Sequence, residues 1–348
     1  MKRSSLLGCG LMIIGLCIVT APSAFALTIA PMKLELKGDP GQVVEGKYEL
    51  FNEQNFDITF YSSFQNFEAN DEGGSPTFVN TKEGLATWMS TQKSIVLKAG
   101  QHADLRFKIT IPKNAEPGGY FAAIFLGTTP PPADGQTAVS VGAKTGILVL
   151  LTVSGDIKEG GGLLDFSTEN NQRFFNALPV KFTYRFQNSG GDRMKPIGDI
   201  TIKDMAWLTT DIFDANENSG NILPRSARRF VAKWNGAQEL EKGETKDERQ
   251  KKNDADLAKT KEGNVFARFW HTVGYQWEHF AMGMYTARLH LTYGSDSRVA
   301  QDSYIFFVLP WQLMLVMLVG FTLLFFGLRF GVKRYNRWII RTALSQRK

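Results

Sequence analysis

Cysteine is almost absent from this 348-residue chain: only Cys9 and Cys17 occur, both within an apolar N-terminal stretch. The chain opens with Lys2 and Arg3, runs apolar from Leu6 to Val19 and reaches Ala24-Phe25-Ala26, the pattern of an export signal cut before Leu27. Leu6-Leu7-Gly8-Cys9 also resembles a lipoprotein box, but it precedes the apolar stretch instead of ending it. With 1–26 read as a signal peptide, the mature protein has no thiol. That excludes structural disulfides, cysteine nucleophiles and cysteine-bound zinc together.

Histidine is scarce as well, with four in the chain. His102 falls in an expected turn and His290 on the outer side of an expected strand. His271 and His279 are eight residues apart, not the four that place two ligands on one helical face, although Glu278 adjoins the second. No G-x-S-x-G nucleophile elbow occurs. "GAKT" at 142–145 approaches a Walker pattern and fails it twice: Ala143 separates Gly142 from Lys144, and Thr137 stands where the earlier glycine belongs. The chemistry-bearing residues therefore point to no enzyme, no metal, no cofactor and no nucleotide.

Charge is missing from one long run. "FFVLPWQLMLVMLVGFTLLFFGL", 306–328, carries no charged residue and is long enough to cross a bilayer core as a single transmembrane helix, with Trp311 suited to the interface. After it come Arg329, Lys333, Arg334, Arg337, Arg341, Arg347 and Lys348 with no acid among them. The positive-inside rule makes 329–348 a basic cytoplasmic tail, with Arg329, Lys333, Arg334 and Arg337 nearest the lipid headgroups. The preceding residues then face outward, at the cell surface or in a periplasm. Setting these seven bases and Lys2 and Arg3 aside leaves 31 bases against 34 acids, so the net charge of +6 is no signal for nucleic acid.

What remains is dense in alternating patterns. In "DLRFKITIP", Leu105, Phe107, Ile109 and Ile111 share one face and charged or polar residues the other, the period of a strand buried on one side. "KFTYRF" and "YTARLHLTYG" repeat that period. Further strands are expected over 27–36, 43–52, 58–67, 94–98, 119–127, 146–153, 199–204 and 226–234, separated by Gly, Pro, Asn and Asp. The glycines of "KEGGGL", 158–163, read as a linker. The expected fold is all-β: two tandem immunoglobulin-like β-sandwiches, 27–158 and 159–305, followed by the transmembrane helix. Each half shows a strand ending near an Asn and a later Gly-Tyr strand entry.

Two stretches stand apart from the alternation. "PGGYFAAIFLG" sets Gly118 and Gly119 before an aromatic-rich run, but the residues ahead form a proline-bounded turn and those after are β-prone. A phosphate loop needs the reverse, a strand before and a helix after. Pro117, Gly118, Gly119 and Tyr120 are thus expected to admit a buried strand. The segment 236–280 interrupts the second sandwich. Its first part is so rich in charge that it should be a solvated loop or exposed helix. Its second offers a helix over 265–280 carrying Phe266, Phe269, Trp270, Tyr275, Trp277 and Phe280, either a cover for the sandwich or a candidate interaction patch for a partner or the membrane surface.

"LTIAPMKLEL", "ELFNEQN" and "SIVLKAGQHADLRFKITIPKNAEPGGYFAAIFLG" together resemble the WxL-interacting, surface-anchored proteins with a domain described as peptidoglycan-binding. "YRFQNSGGDRMKPIGDITIKD", "ILPRSARRFVAKW", "MYTARLHLTYG" and "VLPW" are similar to their second immunoglobulin-like region and its approach to the membrane. The resemblance implies a non-enzymatic envelope protein, integral to the cytoplasmic membrane, that binds a wall polymer such as peptidoglycan or a partner surface protein. An alternative is a chaperone-like role, binding exported subunits by β-strand addition, with "YFAAIFLG" or "TGILVLLTVSG" supplying an edge.

Overall fold

A computed structural model of the chain describes residues 27–130, 144–236 and 245–345. The expected signal peptide with Cys9 and Cys17, Thr137 and Gly142 of the failed Walker match, and Arg347 and Lys348 lie outside the described residues. The chain divides into two compact units, one of 1–68 and 76–157, the other of 69–75 and 158–348.

In the first unit the strands are β1 (Leu27–Ala30), β2 (Lys33–Gly38), β3 (Val43–Asn52), β4 (Ile58–Ala69), β5 (Pro76–Val79), β6 (Met89–Thr91), β7 (Ser94–Leu97), β8 (His102–Thr110), β9 (Gly118–Gly127) and β10 (Lys144–Val153), with a single helical turn, α1 (Leu85–Trp88). One sheet has the order β1-β3-β8-β6 and the other β2-β10-β9-β4-β5, with β7 pairing β4. Buried residues from both sheets, among them Leu50, Phe107, Ile109, Ile124, Val149 and Leu151, form one core. The alternation that marked Leu105, Phe107 and Ile109 as inward is the observed burial pattern of β8. The expected strand 27–36 is divided at Pro31, which has no N–H for a ladder: β1 pairs β3 in one sheet, while β2 pairs β10, in parallel, in the other.

The second unit repeats this plan. Its strands are β11 (Gly161–Thr168), β12 (Phe174–Phe175), β13 (Val180–Asn188), β14 (Ile197–Lys203), β15 (Thr209–Asp214), β16 (Ser226–Trp234), β17 (Gly283–Tyr293) and β18 (Arg298–Val308). The sheets run β11-β13-β16 and β12-β18-β17-β14-β15, and Val180, Phe182, Tyr184, Ile200, Trp234, Leu289 and Phe306 from both sheets share one core. Strand for strand, β1-β3-β8 corresponds to β11-β13-β16 and β2-β10-β9-β4-β5 to β12-β18-β17-β14-β15, including the parallel pair at one end of each larger sheet.

Two local devices recur with the strand order. Asn52, closing β3, is fully buried; its amide donates to the carbonyls of Phe56, Leu97 and Lys98, and its Oδ1 accepts from Gln54 N–H. Asn188, closing β13, donates to Asp192 and Ile222 carbonyls and accepts from Gly190 N–H. Each side chain supplies the bonds that the turning backbone would otherwise leave unmade at a buried corner. Later in each unit a glycine with positive φ opens a strand, Gly118 at 147° before β9 and Gly283 at 128° before β17, where a side chain would be strained. Tyr120 and Tyr285 follow, their hydroxyls donating back to the carbonyls of Glu116 and Met282.

Three expectations are corrected. The glycine linker 158–163 is shorter than expected, because β11 has begun by Gly161. Phe306 and Val308, assigned to the membrane helix, are core residues of β18, 0% and 1% exposed. They alternate inward as in any half-buried strand, and apolarity alone could not separate the final strand from the helix behind it. That helix, the last in the chain, spans Trp311–Ser345 and so continues through most of the expected tail. With no proline after Pro310, nothing there interrupts the backbone ladder.

The segment between β16 and β17 holds two further helices, α2 (Lys246–Lys259) and α3 (Val265–Glu278), which makes the last helix α4 (Trp311–Ser345). A capping box of Thr245 and Glu248 starts α2, and Asn264 Oδ1 accepts from Ala267 N–H to start α3.

Candidate functional site

At the first turn of α4, backbone N–H groups lack helical partners. One of them, on Leu313, donates to Gln276 Oε1 at 2.9 Å, and Gln276 sits on α3. The same side chain donates through Nε2 to Gln312 Oε1 at 2.6 Å and to the Asn176 carbonyl at 2.9 Å. Gln276 is 1% exposed, so these bonds are made away from water, where each is costly to lose. One glutamine thus ties three things together: α3, the start of α4 and the strand end after β12.

α3 is also pinned to α2. The buried Tyr275 ring stacks on His279, with centroids 4.2 Å apart. His279 Nδ1 lies 3.2 Å from the Tyr275 carbonyl, and Nε2 lies 3.1 Å from Oδ1 of the buried Asn253 of α2. Burial, with Asp254 and Asp256 nearby, pushes the Tyr275 hydroxyl up to about 12. His279 is therefore a packing residue, while His271 is exposed on the outside of α3.

The six aromatics marked in the sequence divide here. Tyr275 faces inward and Phe269 is half-buried, whereas Phe266, Trp270, Trp277 and Phe280 are exposed. At 100° per residue, positions 266, 270 and 277 fall within about 40° of arc, while Glu278, His271 and Arg268 point about 100°, 120° and 180° from its centre. The helix is amphipathic with its aromatic stripe toward solvent, the reverse of a helix that covers a core. Met282, Leu309 and Trp311, between α3 and the first turn of α4, are each at least half exposed as well. Within α4, the 28 residues Trp311–Trp338 are long and apolar enough to cross a membrane, and little of that segment is buried. Arg329, Lys333, Arg334 and Arg337 are exposed along its later turns.

The stretch around Pro117 has no ligand-binding geometry. Gly118 and Gly119 pair with Val153 and Thr152 in the ladder between β9 and β10, and the Tyr120 ring packs on Trp88 with centroids 4.5 Å apart. "YFAAIFLG" and "TGILVLLTVSG" are not free edges: β9 lies between β10 and β4, and β10 between β2 and β9. In the second unit β15 and β16 each end a sheet, with the outward Arg229 N–H of β16 already donating to Glu72 O. Between them runs a groove of about 620 Å³, lined by Asp211, Asp214, Arg228, Arg229, Lys233 and Arg249 among others. Arg228 lies over the Phe230 ring at 5.2 Å and donates to the Asn221 carbonyl at 2.8 Å. Burial raises the Asp211 carboxyl above the usual carboxylate range. No local motif in the sequence marks this groove, because its residues alternate with core residues on β16. Among the described residues, no group of three or more His, Cys, Asp or Glu is placed to hold a metal.

No family model matches the chain, and no curated protein matches it. Among solved structures it is similar to the class 5 fimbriae chaperone CfaA, at 13% identity over 64% of this chain and 95% of that one, with a TM-score of 0.35. It is similar also to a chain of the Salmonella enterica SafA pilin complex with the SafB chaperone, at 10% identity over 83% and 99% of the two chains, TM-score 0.34. A PapD-like domain of human CEP192 matches at 14% identity over 39% and 91%, TM-score 0.27. Likenesses of this degree say nothing about what the chain binds.

Proposed function

We propose that this chain is a non-enzymatic binding protein of the bacterial cell envelope. It is tethered by α4, holds its two sandwiches outside the cytoplasm, and recognises a wall polymer such as peptidoglycan or a partner surface protein. The observation that carries this reading is the flank of the second unit formed by β15 and β16. There, Arg228, Arg229, Lys233, Asp211 and Asp214 are among the residues that line one groove between two sheet ends, with Arg229 and Lys233 paired to Glu72 and Asp254. Mixed charge on a rigid β frame suits a ligand bearing amides, hydroxyls and carboxylates, and needs no reactive group. The sequence resemblance to the WxL-interacting proteins supports the same reading.

A second reading is favoured by the same flank: β16 is nine residues long and ends its sheet, so an exported subunit could add a strand along the part of its edge beyond the Arg229–Glu72 bond. One experiment separates the two. The full chain in detergent micelles would be tested for co-sedimentation with peptidoglycan sacculi and for capture of envelope proteins, beside R228A/K233A and V231P. Arg229 N–H points away from β13, since it donates to Glu72 O, and Val231 two residues on shares that direction. A proline at 231 removes an outward donor only. Sedimentation lost in R228A/K233A but kept in V231P supports polymer recognition, whereas protein capture lost in V231P supports strand addition. Binding unchanged in both variants would remove the groove from the function.

A further inference from the structure

We propose that α3 is a second membrane-contacting element, lying in the interfacial layer of the bilayer that α4 crosses, with Phe266, Trp270 and Trp277 inserted among the lipids. This rests on α4 being a membrane span, but it concerns different residues. The argument begins with position. Gln276 bonds both Gln312 and Leu313, so the end of α3 is held at the first turn of α4, where the apolar helix must enter the bilayer. Trp277, the next residue, is 69% exposed. It therefore sits at the depth where tryptophan is enriched in membrane proteins, as does Trp311.

Orientation supplies the second part. A helix built to cover the sandwich would turn its aromatic stripe inward, yet α3 buries Tyr275 and Gln276 and leaves Phe266, Trp270 and Trp277 outside, Val273 being the one buried residue on the stripe's side. Phe266 and Trp270 stack edge to face at 6.2 Å, forming one apolar ridge instead of two scattered rings. Its charged residues Arg268, His271 and Glu278 occupy another side. Aromatic residues on one side and charge on the other is the pattern of a helix lying in the plane of the interface at about 5–10 Å depth. Phe280, Met282 and Leu309 are further exposed apolar residues near the ends of α3 and α4 in sequence, and Gln276 holds the end of α3 at the start of α4, so the occupant is the lipid already surrounding α4.

The consequence is orientational. A lone helix lets an outward domain tilt freely, whereas two membrane contacts joined by Gln276 fix the second unit against the surface. Residue-specific depth measurement tests this. Single cysteines carrying the fluorophore NBD would be placed at Phe266, Trp270 and Trp277 in turn, with controls at Thr322 of α4 and Gln301 of β18. The full chain would be reconstituted into phosphatidylethanolamine–phosphatidylglycerol vesicles containing nitroxide lipids. The expected result is a loss of emission at 266, 270 and 277 that is greater with nitroxide near the headgroup than near the chain ends. Thr322 should show the opposite order, and Gln301 no loss. If the α3 positions behave like Gln301 while Thr322 is quenched, α4 spans the membrane and the proposal is overturned. If Thr322 is also unquenched, the span itself is overturned and the proposal with it.

Discussion

The two units share a strand order, a buried corner asparagine and a glycine-tyrosine strand entry, yet they are filled and finished differently. The first is largely aliphatic inside, through Leu50, Ile109, Ile124, Ile147, Val149 and Leu151. The second is built around rings: Phe306 lies 5.3 Å from Phe182 and 5.7 Å from Trp234, and Trp234 lies 5.0 Å from Tyr285. In the first unit β8 passes to β9 through the short turn 111–117, whereas at the corresponding place between β16 and β17 the second unit inserts α2 and α3. The difference teaches where one fold was adapted. The corner and entry devices serve the frame and appear in both, while the insertion at a single turn carries Gln276, which bonds the first turn of α4.

This comparison can be broken most severely in the ring-filled core. Trp234→Ala should destabilise the second unit by about 4 kcal/mol, since a fully buried indole leaves a cavity among stiff neighbours. Hydrogen exchange on the full chain should show lost protection in 69–75 and 158–308 alone, and equal loss in 27–68 and 76–157 would mean that the units do not unfold separately. Next in size, Asn52→Ala should cost about 3 kcal/mol and Asn188→Ala about 2 kcal/mol, in proportion to the bonds each makes. Denaturation midpoints would check the order, and a negligible effect at either site would end the claim of a shared corner device.

Gln276→Leu should cost about 1–2 kcal/mol, because it strands the Leu313 N–H and the Asn176 carbonyl in a buried setting. Exchange at the start of α4 should accelerate while the first unit is unchanged. Smallest of all, Trp277→Ser should shift stability in detergent by less than about 0.5 kcal/mol, as expected for an exposed side chain outside the core. A larger loss would show that α3 covers the sandwich after all.

Much of this was legible in linear form. The alternation in "DLRFKITIP" and "YTARLHLTYG" needs only the two-residue period of a strand, and 43–52 and 226–234 coincide with β3 and β16. The helical spacing of the aromatics over 265–280 was equally local. Phe306 and Val308 were misassigned because a half-buried strand running into an apolar helix gives one unbroken hydrophobic signal. Gln276 could not have been chosen, since a glutamine in a helix is ordinary until a partner 37 residues away is brought beside it. The same holds for the groove, whose residues come from β15, β16, α2, the turns after the two strands and Gly73.

The sequence by itself determined the strands, their inward faces, the long apolar helix and the aromatic stripe, because each depends on side-chain periodicity within a few residues. Only the tertiary structure decided that two halves repeat one strand order, that β9 and β10 are central while β15 and β16 end their sheets, and that the stripe faces outward at the foot of α4. Those outcomes depend on which distant segments pair, and pairing is fixed by the joint burial of both sheets, a quantity that no short window of residues contains.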